Sequence, residues 1–118
     1  MSEISPLQLH IRPARAEDRD AVFAMVATVW DGTDYIPRVW DEWLVASDGP
    51  LLVGELDERP VALYKLTELS NKEDWFEGVR VDPEYRGRGL ARALARDCIQ
   101  RSRQRGKRAL RYITSQKN

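Results

Sequence analysis

Cysteine and histidine are nearly absent from this chain of 118 residues, each occurring once, as Cys98 and His10. One cysteine excludes an internal disulfide framework and a cysteine-rich zinc site. One histidine removes histidine-based metal clusters and speaks against a Ser-His-Asp triad, so no metal is expected. His10 itself lies in a run with strand character and is expected to be a surface residue. No apolar run approaches the roughly 18 residues a membrane helix needs, and no charged-then-apolar leader opens the chain. A cytoplasmic setting with no membrane partner is the expectation. No repeat, low-complexity segment or Pro/Gly/Ser linker divides the chain, so a single domain over residues 1–118 is expected.

Net charge is also missing, but only in the sum. Lysine and arginine number 19, as do aspartate and glutamate. From Arg80 to Asn118, however, there are 12 cationic residues against 3 acidic ones, a net of +9, which leaves −9 for residues 1–79. With 42% hydrophobic and 32% charged residues, the composition is that of an ordinary globular protein.

Hydrophobic periodicity orders the elements. Leu7 to Arg12 alternates as a strand. Val22, Met25, Val26 and Val29 form one face of a helix over about Glu17 to Val29, with an acidic first turn. Asp31-Gly32-Thr33 breaks the pattern, and Pro37 opens a second helix bearing Val39, Trp40, Trp43 and Leu44. Leu51 to Leu56 and Val61 to Leu69 form a hairpin around Asp57-Glu58-Arg59-Pro60. A polar loop, Asn71 to Asp74, precedes a strand from Trp75 to Val81, which places Trp75, Glu77, Val79 and Val81 on one face. A helix from about Gly89 to Arg105 carries Leu90, Ala91, Leu94, Ala95 and Cys98 on one stripe and stops at Gly106. Arg108 to Thr114 is the last strand. The order β-α-α-β-β-β-α-β predicts an α/β protein with a mixed sheet and a parallel crossover.

Chemistry concentrates in Val79 to Leu94, VRVDPEYRGRGLARAL. A strand runs through Asp82-Pro83 into Arg86-Gly87-Arg88-Gly89 and directly into a helix. Two glycines let a diphosphate approach the backbone, where several N–H groups converge. The helix adds the positive end of its dipole, and Arg86, Arg88 and Arg92 add formal charge. The P-loop lysine and hydroxyl are absent. The Rossmann pattern fails because Arg92 stands where its third glycine belongs.

This stretch resembles motif A of the GNAT superfamily, the acetyl-CoA-dependent amine N-acetyltransferases: Arg/Gln-x-x-Gly-x-Gly/Ala, filled by Arg86, Gly89 and Ala91. The preceding strand end and the element order match that family along essentially the whole chain. The resemblance implies a GNAT fold whose fourth and fifth strands run parallel and splay apart around acetyl-CoA. Val79, Arg80 and Val81 would meet the pantetheine arm, and Arg86, Gly87, Arg88, Gly89, Leu90 and Ala91 would hold the pyrophosphate. It also implies a fourth-strand glutamate as base, for which Glu77 is the candidate; an ion-paired strand carboxylate is the ordinary alternative.

The segment from Asp31 to Pro37 with Val39, Trp40 and Trp43 would line the acceptor pocket, and its Asp-Tyr-Ile-Pro…Trp-Leu arrangement resembles histidine N-acetyltransferase-like proteins. Asp34, Tyr35 and Trp40 are the candidate acceptor-binding residues, with Asp31 as a further carboxylate; core packing is the alternative for Trp40. The helix that follows the fifth strand in that family, with its tyrosine acid, and the last two strands have no counterpart here. The domain is therefore expected to be incomplete at its C-terminus, the rest coming from a longer chain or another subunit; a homodimer is the other setting left open.

The expected function is acetyl transfer from acetyl-CoA to a primary amine of a small molecule or amino acid. Two alternatives stay open. One is a CoA-binding but inactive half-domain acting as an interaction unit. The other is a nucleic-acid-binding module using the basic run Arg101 to Arg108, RSRQRGKR, against which stand the lack of aromatic interleaving and of net positive charge.

Overall fold

The structure is a computed structural model that describes residues 8–27 and 34–112. Five strands form one sheet in the order β1-β2-β3-β4-β5: β1 His10–Pro13, β2 Leu51–Leu56, β3 Arg59–Glu68, β4 Glu73–Val81 and β5 Ala109–Tyr112. The first four are antiparallel neighbours, and β5 returns parallel to β4. The helices are α1 Arg19–Val26, α2 Ile36–Leu44 and α3 Leu90–Gln104, with short 3-10 turns at Ala16–Asp18 and Pro83–Tyr85. The mixed sheet and its element order are those predicted. The expectations on Leu7, Val29, Asp31, Gly32, Thr33, Ile113 and Thr114 lie outside the described residues.

Two helical layers explain the central strand. The residues from Val61 to Leu66 are all buried, the continuous apolar pattern of a strand covered on both faces. On one face Leu51, Val53 and Leu63 pack with Val22, Met25 and Val26 of α1 and with Ile36 and Trp40 of α2. On the other, Leu52, Ala62, Tyr64 and Leu66 meet Leu94 and Cys98 of α3, with Phe76, Val79, Val81 and Leu110 packed alongside. Ser102 continues the buried stripe of α3, whereas Ala91 lies on its exposed side, against the predicted stripe.

Turn chemistry sets the hairpins. Asp57 and Glu58 both have positive φ, 50° and 65°, as a two-residue hairpin turn that follows the sheet twist requires. The predicted loop at Asn71 to Asp74 is shorter than expected, because β4 begins at Glu73. Asp74 is fully buried there: its carboxylate accepts from Ser102 Oγ at 2.9 Å and from Arg105 Nε at 3.0 Å. A charge that reads as solvated in the sequence is thus a strand residue locking β4 to the end of α3.

The C-terminal basic run is tied down in the same way. Arg101 pairs with Asp97, Arg105 with Asp74 and Lys107 with Glu68. Arg101 also donates to the Ile11 carbonyl, and Gly106 (φ 80°) ends the helix. Much of what reads as a solvated cationic face therefore belongs to the internal structure.

Candidate functional site

The site is built at one end of β4 and hinges on a bulge. β3 and β4 pair as Lys65↔Glu77 and then as Leu63↔Arg80. One residue of β3 therefore faces Gly78 and Val79 together. Gly78 has φ +66°, and a Cβ there would lie 2.6 Å from Cζ3 of Trp43. Only glycine meets both demands without strain.

The bulge reverses the facing of the strand, and this corrects a sequence expectation. Strict alternation puts Glu77 on the face of Val79 and Val81. Instead, Val79 and Val81 pack with Phe76 toward α3, while Glu77 bonds with Thr67 of β3 and Arg80 with Asp34 beside α2. Glu77 thus belongs to the α1/α2 side. The inserted backbone residue shifts the period of two by one. A glycine inside an apolar strand was the signal for it.

Around Glu77 lies a part-buried polar chain. Glu77 Oε2 accepts from Thr67 Oγ1 at 2.6 Å, Thr67 accepts from Lys65 Nζ at 2.9 Å, and Lys65 also donates to Asp48 Oδ1 at 2.8 Å. Sequence reasoning passed over Lys65 and Thr67, since the first reads as an isolated cation in an apolar strand.

Beside it, α2 is clasped to β4. Arg80 donates to both carboxylate oxygens of Asp34, at 2.6 and 3.3 Å, and to the Val79 carbonyl at 2.8 Å. Asp34 also accepts from the Ile36 N–H at 2.8 Å, satisfying one of the orphan donors at the start of α2. The Arg80 guanidinium stands 5.2 Å over the Tyr35 ring, and Tyr35 meets Trp43 edge to face at 6.0 Å.

The acceptor-side candidates separate accordingly. Tyr35 is 39% exposed. The Asp34 carboxylate is committed to Arg80 and the helix start. Trp40 is 2% exposed and packs edge to face against Phe23 in the core, the arrangement of its packing alternative. Trp43, one helical turn on, is the tryptophan that reaches the bulge. At i and i+3 the two indoles fall on adjoining parts of one face, and periodicity alone does not say which meets the sheet edge.

At the end of β4 the chain turns through Asp82, whose side chain accepts from Glu84 N–H at 2.9 Å, and enters the glycine turn. Gly87 and Gly89 have φ of 78° and 80°. Gly89 is the N-cap of α3, whose first N–H groups lack intrahelical partners as at any helix start, and no side chain among the described residues caps that end. Arg86, Gly87, Arg88, Gly89 and Ala91 are exposed, while Leu90 is buried and anchors the helix. Arg88 lies 5.2 Å over the Tyr85 ring. Among the described residues, none of Arg86, Arg88 and Arg92 has a carboxylate partner. The arrangement is a cationic, glycine-lined helix start open to solvent, suited to phosphate oxygens. The described pairing of β4 with β5 runs only from Glu73 to Phe76, so β4 continues five residues past it to Val81.

This fold is shared with solved acetyltransferase structures. The ribosomal-protein-S18-alanine N-acetyltransferase from Escherichia coli superposes with a TM-score of 0.80 at 17% identity, covering 93% of this chain and 69% of that one. A GNAT family acetyltransferase from Elizabethkingia anophelis, solved with acetyl-CoA bound, gives 0.69 at 15% identity, covering 92% and 67%. In sequence, the chain is 31% identical to the histidine N-acetyltransferase of Scomber australasicus over 98 residues, 82% of this chain and 29% of that protein. It therefore spans less than a third of that relative's length. Residues 15–118 match the acetyltransferase (GNAT) family, to which the chain belongs.

Proposed function

We propose that this chain binds acetyl-CoA and transfers its acetyl group to a primary amine of a small molecule or amino acid. The observation that carries the reading is the start of α3 at the end of β4, with its two left-handed glycines and three arginines that have no carboxylate partner among the described residues. Arg86, Gly87, Arg88, Gly89, Leu90 and Ala91 would hold the diphosphate, through backbone N–H groups and guanidinium charge. Val79, Arg80 and Val81 would meet the pantetheine arm through their backbone. The cofactor supplies an activated thioester. The chain supplies Glu77, whose carboxylate would take the proton an attacking amine must lose. The amine would enter from the α2 side, where Tyr35 and Trp43 stand and where the bulge turns Glu77. Asp34 serves as the support that holds Arg80 and Tyr35 in place. The similarity to histidine N-acetyltransferase makes an amino acid the first acceptor to try.

Calorimetry with acetyl-CoA, followed by thiol release with an amine panel that includes histidine, tests this on the chain and on any longer form of it. Gly89→Val strains the left-handed cap, and Arg86→Met with Arg88→Met removes charge while leaving the backbone. Both are expected to weaken binding at least tenfold. Wild-type affinity in the double arginine variant would remove the proposed cradle. Binding without turnover would instead identify a CoA-binding unit that is not itself a transferase.

A further inference from the structure

We infer that Lys65 and Thr67 are positioning residues for Glu77: a buried ammonium fixes a hydroxyl, and the hydroxyl fixes the carboxylate. The inference rests on the reading of Glu77 as the proton acceptor given above. Lys65 is 1% exposed and lies directly opposite Glu77 in the β3–β4 register, yet no ion pair joins them. Its three N–H donors go to Asp48 Oδ1 at 2.8 Å, Thr67 Oγ1 at 2.9 Å and the Leu66 carbonyl at 3.1 Å. An ammonium has three donors and no acceptor, so Lys65 is saturated.

That saturation sets the direction of the chain. Thr67 Oγ1 receives from Lys65 and has a single proton of its own, which goes to Glu77 Oε2 at 2.6 Å. The other carboxylate oxygen, Oε1, has no protein donor among the described residues. One oxygen is tethered, and the other keeps its acceptor capacity among the described residues. Stability alone does not account for an ammonium in this place. A well-packed apolar side chain fills such a site without the desolvation cost, and often leaves a protein no less stable. Asp48, half exposed in the turn before β2, balances the charge at the far end.

The test uses the full chain labelled with carboxyl-13C glutamate, with the Glu77 signal assigned from Glu77→Gln. Thr67→Val removes the hydroxyl at nearly constant shape, Thr67→Ser restores it, and Lys65→Met removes the ammonium. Thr67→Val is expected to shift and broaden the Glu77 carboxyl resonance as the tether is lost, and Thr67→Ser to return it. In turnover, Thr67→Val is expected to lower kcat on the order of tenfold or more with acetyl-CoA affinity unchanged, since small misplacements of a catalytic group are costly. Thr67→Ser should recover most of that loss. A Glu77 signal unmoved by Thr67→Val overturns the inference, even if Lys65→Met fails to fold. Unchanged turnover in Glu77→Gln would refute the base reading instead, while the carboxyl signal still decides whether Thr67 holds Glu77.

Discussion

Replacing Gly78 by alanine separates backbone strain from steric conflict, because the chain contains its own control. Gly78 and Gly87 have similar left-handed backbones, φ +66° and +78°, but a Cβ at Gly87 meets nothing within 4 Å among the described residues, whereas at Gly78 it lies 2.6 and 2.8 Å from two atoms of the Trp43 ring. The left-handed conformation costs an L-residue about 1–2 kcal/mol, so Gly87→Ala is expected to lose about that much. Gly78→Ala incurs the same strain plus the cost of forcing a packed indole aside, about 1–3 kcal/mol for overpacking, for a total of about 2–5 kcal/mol. Urea unfolding followed by circular dichroism, without ligand, reads both as shifts in midpoint at constant slope. Adding Trp43→Leu should relieve most of the excess at Gly78 and none of the loss at Gly87, giving an interaction energy of about 1–3 kcal/mol from the overpacking term. Equal losses at the two glycines, or no coupling with Trp43, would refute the contact between α2 and the bulge.

Removing the Asp34 carboxylate by alanine leaves Arg80 unpaired and one N–H at the start of α2 without its acceptor. A loss of about 3 kcal/mol or more is expected in urea unfolding, and a smaller one in Asp34→Asn. Arg12 holds Asp18 and Glu55 below their ordinary values of 3.8 and 4.5, in Asp18 against the opposing effect of burial. These carboxylates therefore add stability above that range and lose it as pH falls through their depressed folded values; Arg12→Met should flatten the acid limb of the stability–pH curve. Burial, with Asp74 and Asp97 nearby, pushes the Cys98 thiol up to about 12. A thiol reagent at pH 8 should modify it only at the rate of unfolding, and rapid labelling of the native protein would contradict that packing.

The fold was legible because its evidence is local. The apolar runs of β2 and β3 on either side of the Asp57-Glu58 turn, the stripe Leu90, Leu94, Cys98 and the glycine at each end of α3 depend on neighbours a few residues apart. The glycine turn was legible for the same reason: its glycines, arginines and helix form one continuous segment. What was misread depends on partners far along the chain. Asp74 reads as a loop residue until Ser102 and Arg105 are brought to it from 28 and 31 residues away. The facing of Glu77 depends on Gly78, where the approach of Trp43 and the positive φ combine to allow a bulge. Trp40 and Trp43 are alike in sequence, and only their docking against Phe23 or against Gly78 tells them apart.

The charge split along the chain takes on a definite meaning from these pairings. Of the cations that make residues 80–118 basic, Arg80, Arg105, Lys107 and Arg111 pair with Asp34, Asp74, Glu68 and Glu73. These acids all come from the acidic part of the sequence, so the segregation in sequence becomes attraction in space that fastens α2, β4, α3 and β5 together. Arg86, Arg88, Arg92 and Arg96, unpaired among the described residues, gather at the start and along the first turns of α3. A generally polyanion-binding surface would keep its cations unpaired along the whole helix and through the run from Arg101 to Arg108. Here three of the five cations from Arg101 to Arg108 are paired, with Arg103 and Arg108 left without a carboxylate among the described residues, whereas none of the four at the near end is paired; charge gathered at the near end matches a ligand bearing a few phosphates at one point. Binding of acetyl-CoA should accordingly weaken with salt and lose most of that dependence when Arg86 and Arg88 are replaced, whereas Arg105→Met should lower stability and leave the salt dependence as it was.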